Sequence, residues 1–395
     1  MTEEIYNEVQ KRLLSVKLFS EAEIKIWVRP RLEQGDGAQQ DPFNLAQYGD
    51  FSHYHIERLE FKSATSNGLF SQVKMVVAKI NQMLKNGDIQ DWNIFYLYKE
   101  LIQQLVKDRS QGYFNYFRGQ FDDWPLVPSL FRNNTKKSFI TTYDRIYGDI
   151  AKEYPDILSY IPYSRERAEA RAEQLAMLQH YGMRTSLLDI TKNPFIALQF
   201  MVLGYAAADH WHVNSFDLYA IDEERHAEEN VFVAVVKNDR NKRIKAQKGA
   251  FFDYDYLNDI KETQIHLIPR LKVRVAFDVS DVDDRLKDQQ GEFRQLLGLL
   301  RPEEASHSEE QGQTPRKLSS PLLAKQLEGN IKDIDELREK SPDLMKTRLS
   351  FLLSRDTSQK LQEYFYLEKN LFPDFDKYIV YLQQKNIEPR EKLNR

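Results

Sequence analysis

The longest regular run of apolar positions lies between Phe70 and Val106, where Val73, Val76, Val77, Ile80 and Met83 recur every three or four residues. That spacing gathers them on one face of a helix, and a stripe of this kind is core-forming. Asn86-Gly87 marks a turn before the next helix. Upstream, residues 2–32 read as two helices, with Ser20 and Glu23 spaced as a capping box ahead of Ile24-Lys25-Ile26-Trp27-Val28. Residues 33–44 form a turn-rich connection, and residues 51–62 carry an alternating patch. At Gly112 the character changes to an aromatic-rich stretch broken by Gly119, Pro125, Pro128 and the Asp122-Asp123 pair. It predicts a strand over 113–118 that ends at Arg118-Gly119 and passes into a structured loop.

Helices are predicted over 141–154 and 165–181, the second closed by Gly182, which can take the left-handed conformation of a C-terminal cap. A short apolar strand follows at 183–190, interrupted by Thr185, Ser186 and Asp189. Asn193 is placed to cap, and Pro194 to open, a further helix that runs apolar to Ala208. This helix–strand–helix unit sets polar groups at a junction of elements, where binding sites tend to form. Asp189 and Thr191 also have a plain structural reading, as caps for the helix at Phe195. Further strands are predicted at 217–221, 231–236, 251–256 and 264–279, and helices at 286–300 and 322–353. Residues 301–320 are the most polar stretch and are read as a mobile loop.

Composition narrows the class. At 395 residues with 41% hydrophobic and 12% aromatic content, the chain can build a substantial core. A net charge of −4 argues against a general nucleic-acid or membrane-surface binder but leaves room for a local basic groove. There is no cysteine, which excludes disulfides, thiolate metal sites and a cysteine nucleophile, and fits a reducing compartment. The first residues lack the apolar core of a secretory signal, and the longest apolar stretch is too short to span a bilayer. We therefore expect a soluble cytoplasmic protein.

The familiar chemistry motifs are missing: no phosphate-binding glycine loop, no GxGxxG, no nucleophile-elbow serine and no HExxH. His53 with His55, and His210 with His212, are spaced as possible zinc ligands, but neither pair has a third ligand at metal spacing. Asp122-Asp123 offers paired carboxylates, or simply a turn after Gly119.

Three blocks, in order, resemble the FRG domain, a bacterial family named for Phe-Arg-Gly. The first is Phe117-Arg118-Gly119-Gln120 with Trp124-Pro125-Leu126, Pro128-Ser129-Leu130 and Arg132. The second is Gln179-His180-Tyr181-Gly182, Thr185, Leu187-Leu188-Asp189, Thr191, Asn193-Pro194, Ala197-Leu198 and Phe200. The third is Ala246-Gln247-Lys248-Gly249-Ala250-Phe251 with Leu371-Phe372-Pro373-Asp374. The family's usual tryptophan after the aspartate is Ile190 here. The resemblance covers residues 112–382 and implies an N-terminal, mainly helical region over 1–111 and an FRG domain over 112–395, with residues 283–345 an insertion.

The same pattern is similar, more remotely, to the ADP-ribosyltransferases. In those enzymes a strand-end arginine grips the NAD phosphates, and a Ser-Thr-Ser string just before a helix supports the nicotinamide ribose. Arg118 falls on the arginine, and Asp189-Ile190-Thr191 on the string. The implied fold is α+β, a split β-sheet core with helices packed around it. The implied catalytic set is Arg118, Asp189, Thr191 and Gln247, and the implied NAD-binding set is Arg118, Gly119, Gln120, His180, Tyr181, Thr185 and Phe195. Gln247 stands in the block where a later-strand glutamate would be sought, with Glu228, Glu229 and Glu262 as nearby acids. The implied activity is that of an NAD-consuming effector in bacterial anti-phage defence or a toxin system, acting on a protein or nucleic-acid acceptor. The alternatives are a nucleotide-sensing module that uses the same pocket without turnover, and a protein-interaction module. Each residue also has a structural reading. Arg118 and Asp189 can form an ion pair, Tyr181 and Phe195 can be core, and Gln247 can serve a turn.

Overall fold

The structure, a computed structural model, describes residues 18–31, 51, 53–65, 67–107, 113–207, 210–234, 246–256, 265–300, 321–371 and 379. Its first element overturns an expectation. Residues 19–31 form a strand, β1 (Phe19–Arg31), in which Ala22, Ile24, Ile26, Val28 and Pro30 are buried while the residues between them are half-exposed. The period is two rather than 3.6. Glu23 closes no capping box; it pairs instead with Lys25 at 3.8 Å and with Arg274 on a neighbouring strand. The other helix expected in this region falls at residues outside the described set.

The chain continues through β2 (His53–Ser63), α1 (Gly68–Lys85), α2 (Ile94–Lys107), β3 (Tyr116–Gln120), α3 (Lys137–Thr141), α4 (Tyr143–Glu153) and α5 (Ala168–His180). It goes on to β4 (Leu187–Thr191), α6 (Pro194–Val202), β5 (Ser215–Tyr219), α7 (Glu223–Glu228), β6 (Phe232–Val233), β7 (Gly249–Asp253), β8 (Ile268–Phe277), α8 (Ser280–Leu300) and α9 (Pro321–Glu363). The fold is mixed α+β. The strands make one eight-stranded sheet in the order β2-β1-β8-β5-β3-β4-β7-β6, in which β1 and β8 run parallel and the other neighbours antiparallel.

Strand alternation divides the core. Phe117, Phe216, Val273 and Ile26 join Val73, Leu101, Ala197 and Leu349 in one large cluster, where α1, α2, α6 and α9 pack on the sheet. Towards β4 and β7, Leu187 and Phe251 pack against α4 and α5 through Tyr147, Leu175 and Ala176. Tyr116, Leu188, Ile190, Tyr219 and Phe252 turn to the opposite face and are covered in part by Leu126 and Phe131. The stripe on α1 is buried at Val73, Val76, Val77 and Ile80, with Met83 packed partly buried against the same cluster. Residues 283–345 lie mainly in α8 and α9, and α9 runs on past residue 345 without a break. The stretch 301–320 lies outside the described residues.

The sheet has one weak seam. β3 and β5 are in register from Tyr116 to Gln120, and β4 and β7 from Leu187 to Thr191. Between these ribbons, β3 and β4 meet at one pair only, Phe117 opposite Thr191. The strands splay beyond it, and that wedge positions the candidate site.

Candidate functional site

Three successive residues of β3 serve three surroundings. Phe117 enters the large core and stacks nearly parallel on Phe216, with ring planes 5° apart. Gly119 lies against α6 so closely that a Cβ there would come within 1.7 Å of the Ala197 carbonyl oxygen. Glycine is required here by contact, not by backbone torsion. Arg118, between them, turns to the opposite face and reaches across the wedge, where its Nη1 donates to the Asp189 carbonyl oxygen at 2.5 Å. Its Nε is buried with no hydrogen-bond acceptor among the described residues.

The other wall is the α5–β4 junction. Gly182 adopts φ +93°, and its N–H bonds back to the Gln179 carbonyl at 3.0 Å, which ends α5 as expected. The Gln179 side chain then bridges two of the predicted residues. Its amide nitrogen donates to Asp189 Oδ2 at 2.8 Å, and its amide oxygen accepts from the Thr185 hydroxyl. The Asp189 carboxylate is therefore held at the surface by Gln179, while Arg118 takes the main-chain oxygen of the same residue. Thr191 is buried; its hydroxyl donates to the Gln247 carbonyl at 2.6 Å and accepts from the Asn193 N–H at 3.0 Å. Asn193 itself caps α6 by accepting from Phe195 N at 3.0 Å, with Pro194 in the first turn.

Arg118, His180, Asp189 and Gln247 line one cleft of about 260 Å³. Thr185 stands behind it, joined through Gln179. The cleft adds side chains not singled out as site residues, namely Ser129, Arg132, Gln179 and Arg184. Arg184 is fixed by Asn134 at 2.7 Å and Thr135 at 2.5 Å, and Arg132 Nε donates to the Val127 carbonyl at 3.2 Å. The Arg132 guanidinium is pushed below the ordinary arginine value by desolvation, then by the charges of Arg118 and Arg184, with Asp189 opposing. Three guanidinium groups thus share one hollow with one carboxylate. Such a set suits an anion with several oxygens, which arginine can grip in pairs.

The remaining predicted residues stand elsewhere. Tyr181 is 59% exposed and lines a separate apolar groove with Tyr154 and Ile157. Phe195 packs among Phe95 and Tyr366. Gln120 is buried and its amide donates to the Trp124 carbonyl at 3.2 Å. Gln247 offers the cleft little chemistry, because its amide nitrogen donates to the Leu371 carbonyl at 3.0 Å.

No glutamate is among the described residues that line the cleft. Glu228 is exposed on α7, Glu229 pairs with His266, and Glu262 is outside the described residues. The Asp122-Asp123 pair serves the scaffold. Asp123 takes Lys272 at 2.6 Å and Arg274 at 3.2 Å, and Asp122 accepts from Val213 N. Among the described residues, no three acidic or histidine side chains are grouped to hold a metal.

The fold and site thus define an α+β protein with an arginine-lined cleft at the seam of its sheet. The family model of the FRG domain matches residues 114–210, so the chain carries an FRG domain there. That segment supplies both walls of the wedge, from β3 to α6, and leaves Gln247 and β7 outside it. No curated protein and no solved structure matches the chain. No helix among the described residues is long and apolar enough to cross a membrane.

Proposed function

We propose that the FRG cleft binds the diphosphate of a nucleotide, NAD in the first instance, through Arg118, Arg132 and Arg184. The observation that carries this reading is the convergence of three guanidinium groups on one hollow, one of them with a buried, unpartnered N–H. Guanidinium groups keep their charge and grip phosphate oxygens in pairs, which a single ammonium cannot do. The order of strands supports an ADP-ribosyltransferase-like core. The arginine strand β3, the strand β4 with Asp189 and Thr191, and β7 just after Gln247 are consecutive in the sheet. On this reading the wedge between β3 and β4 is where the ligand enters.

The residues present fit the phosphates and not the bond-breaking step. Cleavage of the nicotinamide glycosidic bond passes through a positively charged state that a carboxylate stabilises. The amide of Gln247 carries no charge and is committed to Leu371. Binding without turnover is therefore the form of the hypothesis that the geometry favours, a nucleotide-sensing module of the kind a bacterial defence or toxin system would use. Calorimetric titration of the whole chain with NAD, with free nicotinamide followed in parallel, tests it. We expect binding without nicotinamide release, and loss of binding in Arg118→Ala with little change in melting temperature. Steady release of nicotinamide would establish an enzyme instead. Absence of binding would remove the nucleotide from the cleft.

A further inference from the structure

At about 260 Å³ the arginine cleft is smaller than most small-molecule sites, which run from about 300 to 1,000 Å³. It is large enough for a diphosphate and too small for the nucleoside attached to it. A second hollow of about 530 Å³ adjoins it, walled by Trp124, Pro125, Leu126, Phe131 and Tyr254. Arg132 borders both spaces. Arg118 also acts on Tyr254, whose hydroxyl is pushed up by burial while the charges of Arg270 and Arg118 oppose the rise. Arg132 is the side chain common to the two hollows, and Arg118 is close enough to act on the wall of the second.

The wall of the second hollow is anchored at several points. The Gln120 amide donates to the Trp124 carbonyl at 3.2 Å, the Tyr254 hydroxyl to the Leu126 carbonyl at 3.3 Å, and Arg132 Nε to the Val127 carbonyl at 3.2 Å. On this tethered loop Trp124 is nevertheless 54% exposed. An indole held at the surface by a fixed backbone loses little freedom when a flat ring is laid on it.

We propose that this hollow is the base subsite of a nucleoside diphosphate, its ring stacked on Trp124 and its phosphates held by the arginines across Arg132. The inference rests on the diphosphate reading above and adds the ring to it. It accounts for an anion cleft and an apolar hollow standing side by side with one arginine between them.

The test is calorimetry on the full chain with two probes, ADP and inorganic pyrophosphate, for the wild type, Trp124→Ala and Trp124→Phe. We expect ADP to bind the wild type more tightly than pyrophosphate by about 5- to 150-fold, the range for one base stacked on an aromatic side chain. Trp124→Ala should bring ADP down to the affinity of pyrophosphate and leave pyrophosphate unchanged. Trp124→Phe should keep most of the preference for ADP. Equal binding of the two probes by the wild type, or a preference that survives in Trp124→Ala, overturns the base subsite and leaves the diphosphate site standing. A Trp124→Ala chain that loses pyrophosphate as well, with a lowered melting temperature, shows the loop to be scaffold and also overturns it. Failure of both probes on the wild type defeats the diphosphate reading itself, and the subsite with it.

Discussion

Phe117, Arg118 and Gly119 show how one short string divides its work. The glycine is held by contact, since any side chain there meets the Ala197 carbonyl and the Met201 nitrogen of α6. Gly119→Ala should therefore destabilise the chain by about 1–3 kcal/mol or more, because the obstacle is backbone and cannot rotate away. Chemical denaturation would measure it, and an unchanged midpoint would mean that α6 can shift. At Gln247 the amide donates to a carbonyl that a carboxylate would repel. Gln247→Glu should cost roughly 1–3 kcal/mol of stability and should not produce nicotinamide release.

At this scale the sequence was legible where geometry is local: the Gly182 cap, the Asn193 cap and the position of Pro194 follow from residue type alone. The partners of Arg118 and Asp189 were not legible. Their relation depends on a main-chain oxygen and on the Gln179 amide, neither of which has a signature in residue spacing. Arg184 was equally hidden, since nothing in Met183-Arg184-Thr185 distinguishes a cleft arginine from a surface one.

Among the elements, α1 could be read from the spacing of its apolar stripe, and α6 from the Asn193 cap and Pro194 ahead of an apolar run. β1 could not. Ile24, Trp27 and Val28 also satisfy a helical spacing, and Ser20 with Glu23 imitates a cap, so local signals favoured the wrong period. What settles the strand is non-local. β1 lies between β2 and β8 and is in register with β8 from Phe19–Ile268 to Val28–Phe277. The same pairing yields a prediction about chain length. A protein starting at Gly112 loses β1 and β2 from the sheet and Ile24, Ile26, Val28 and the α1 stripe from the shared core. It should show no cooperative thermal transition by circular dichroism, and β8 would be left as a bare, aggregation-prone edge. A sharp transition would instead mark residues 112–395 as a unit that folds alone.

For the molecule as a whole, a net charge of −4 conceals a local concentration of arginine, which a sum over the chain cannot reveal. Burial also sets a pH dependence. Asp253 is wholly buried, and its carboxyl is pushed well above the usual range, mainly by desolvation and next by the charge of Asp255. The folded chain therefore keeps a proton that the unfolded chain releases near pH 4, the ordinary value for aspartate. Stability from this group is present at low pH and falls as pH rises from about 4 towards the raised folded value. Asp253→Asn keeps the Oδ1 that accepts from Asp255 N at 2.8 Å and removes the titration. Its melting temperature should decline less than that of the wild type between pH 5 and pH 8, and parallel declines would show that Asp253 is ionised when buried.

The parallel pairing of β1 with β8 also imposes an order in time. Phe19 leaves the ribosome long before its partner Ile268. At about 5–20 residues per second, that interval is on the order of tens of seconds. Throughout it, the nascent chain carries a long strand with one side open. β3, β4 and β7 all emerge before β8, so every strand around the arginine cleft is available before the first strand of the sheet can be locked in place.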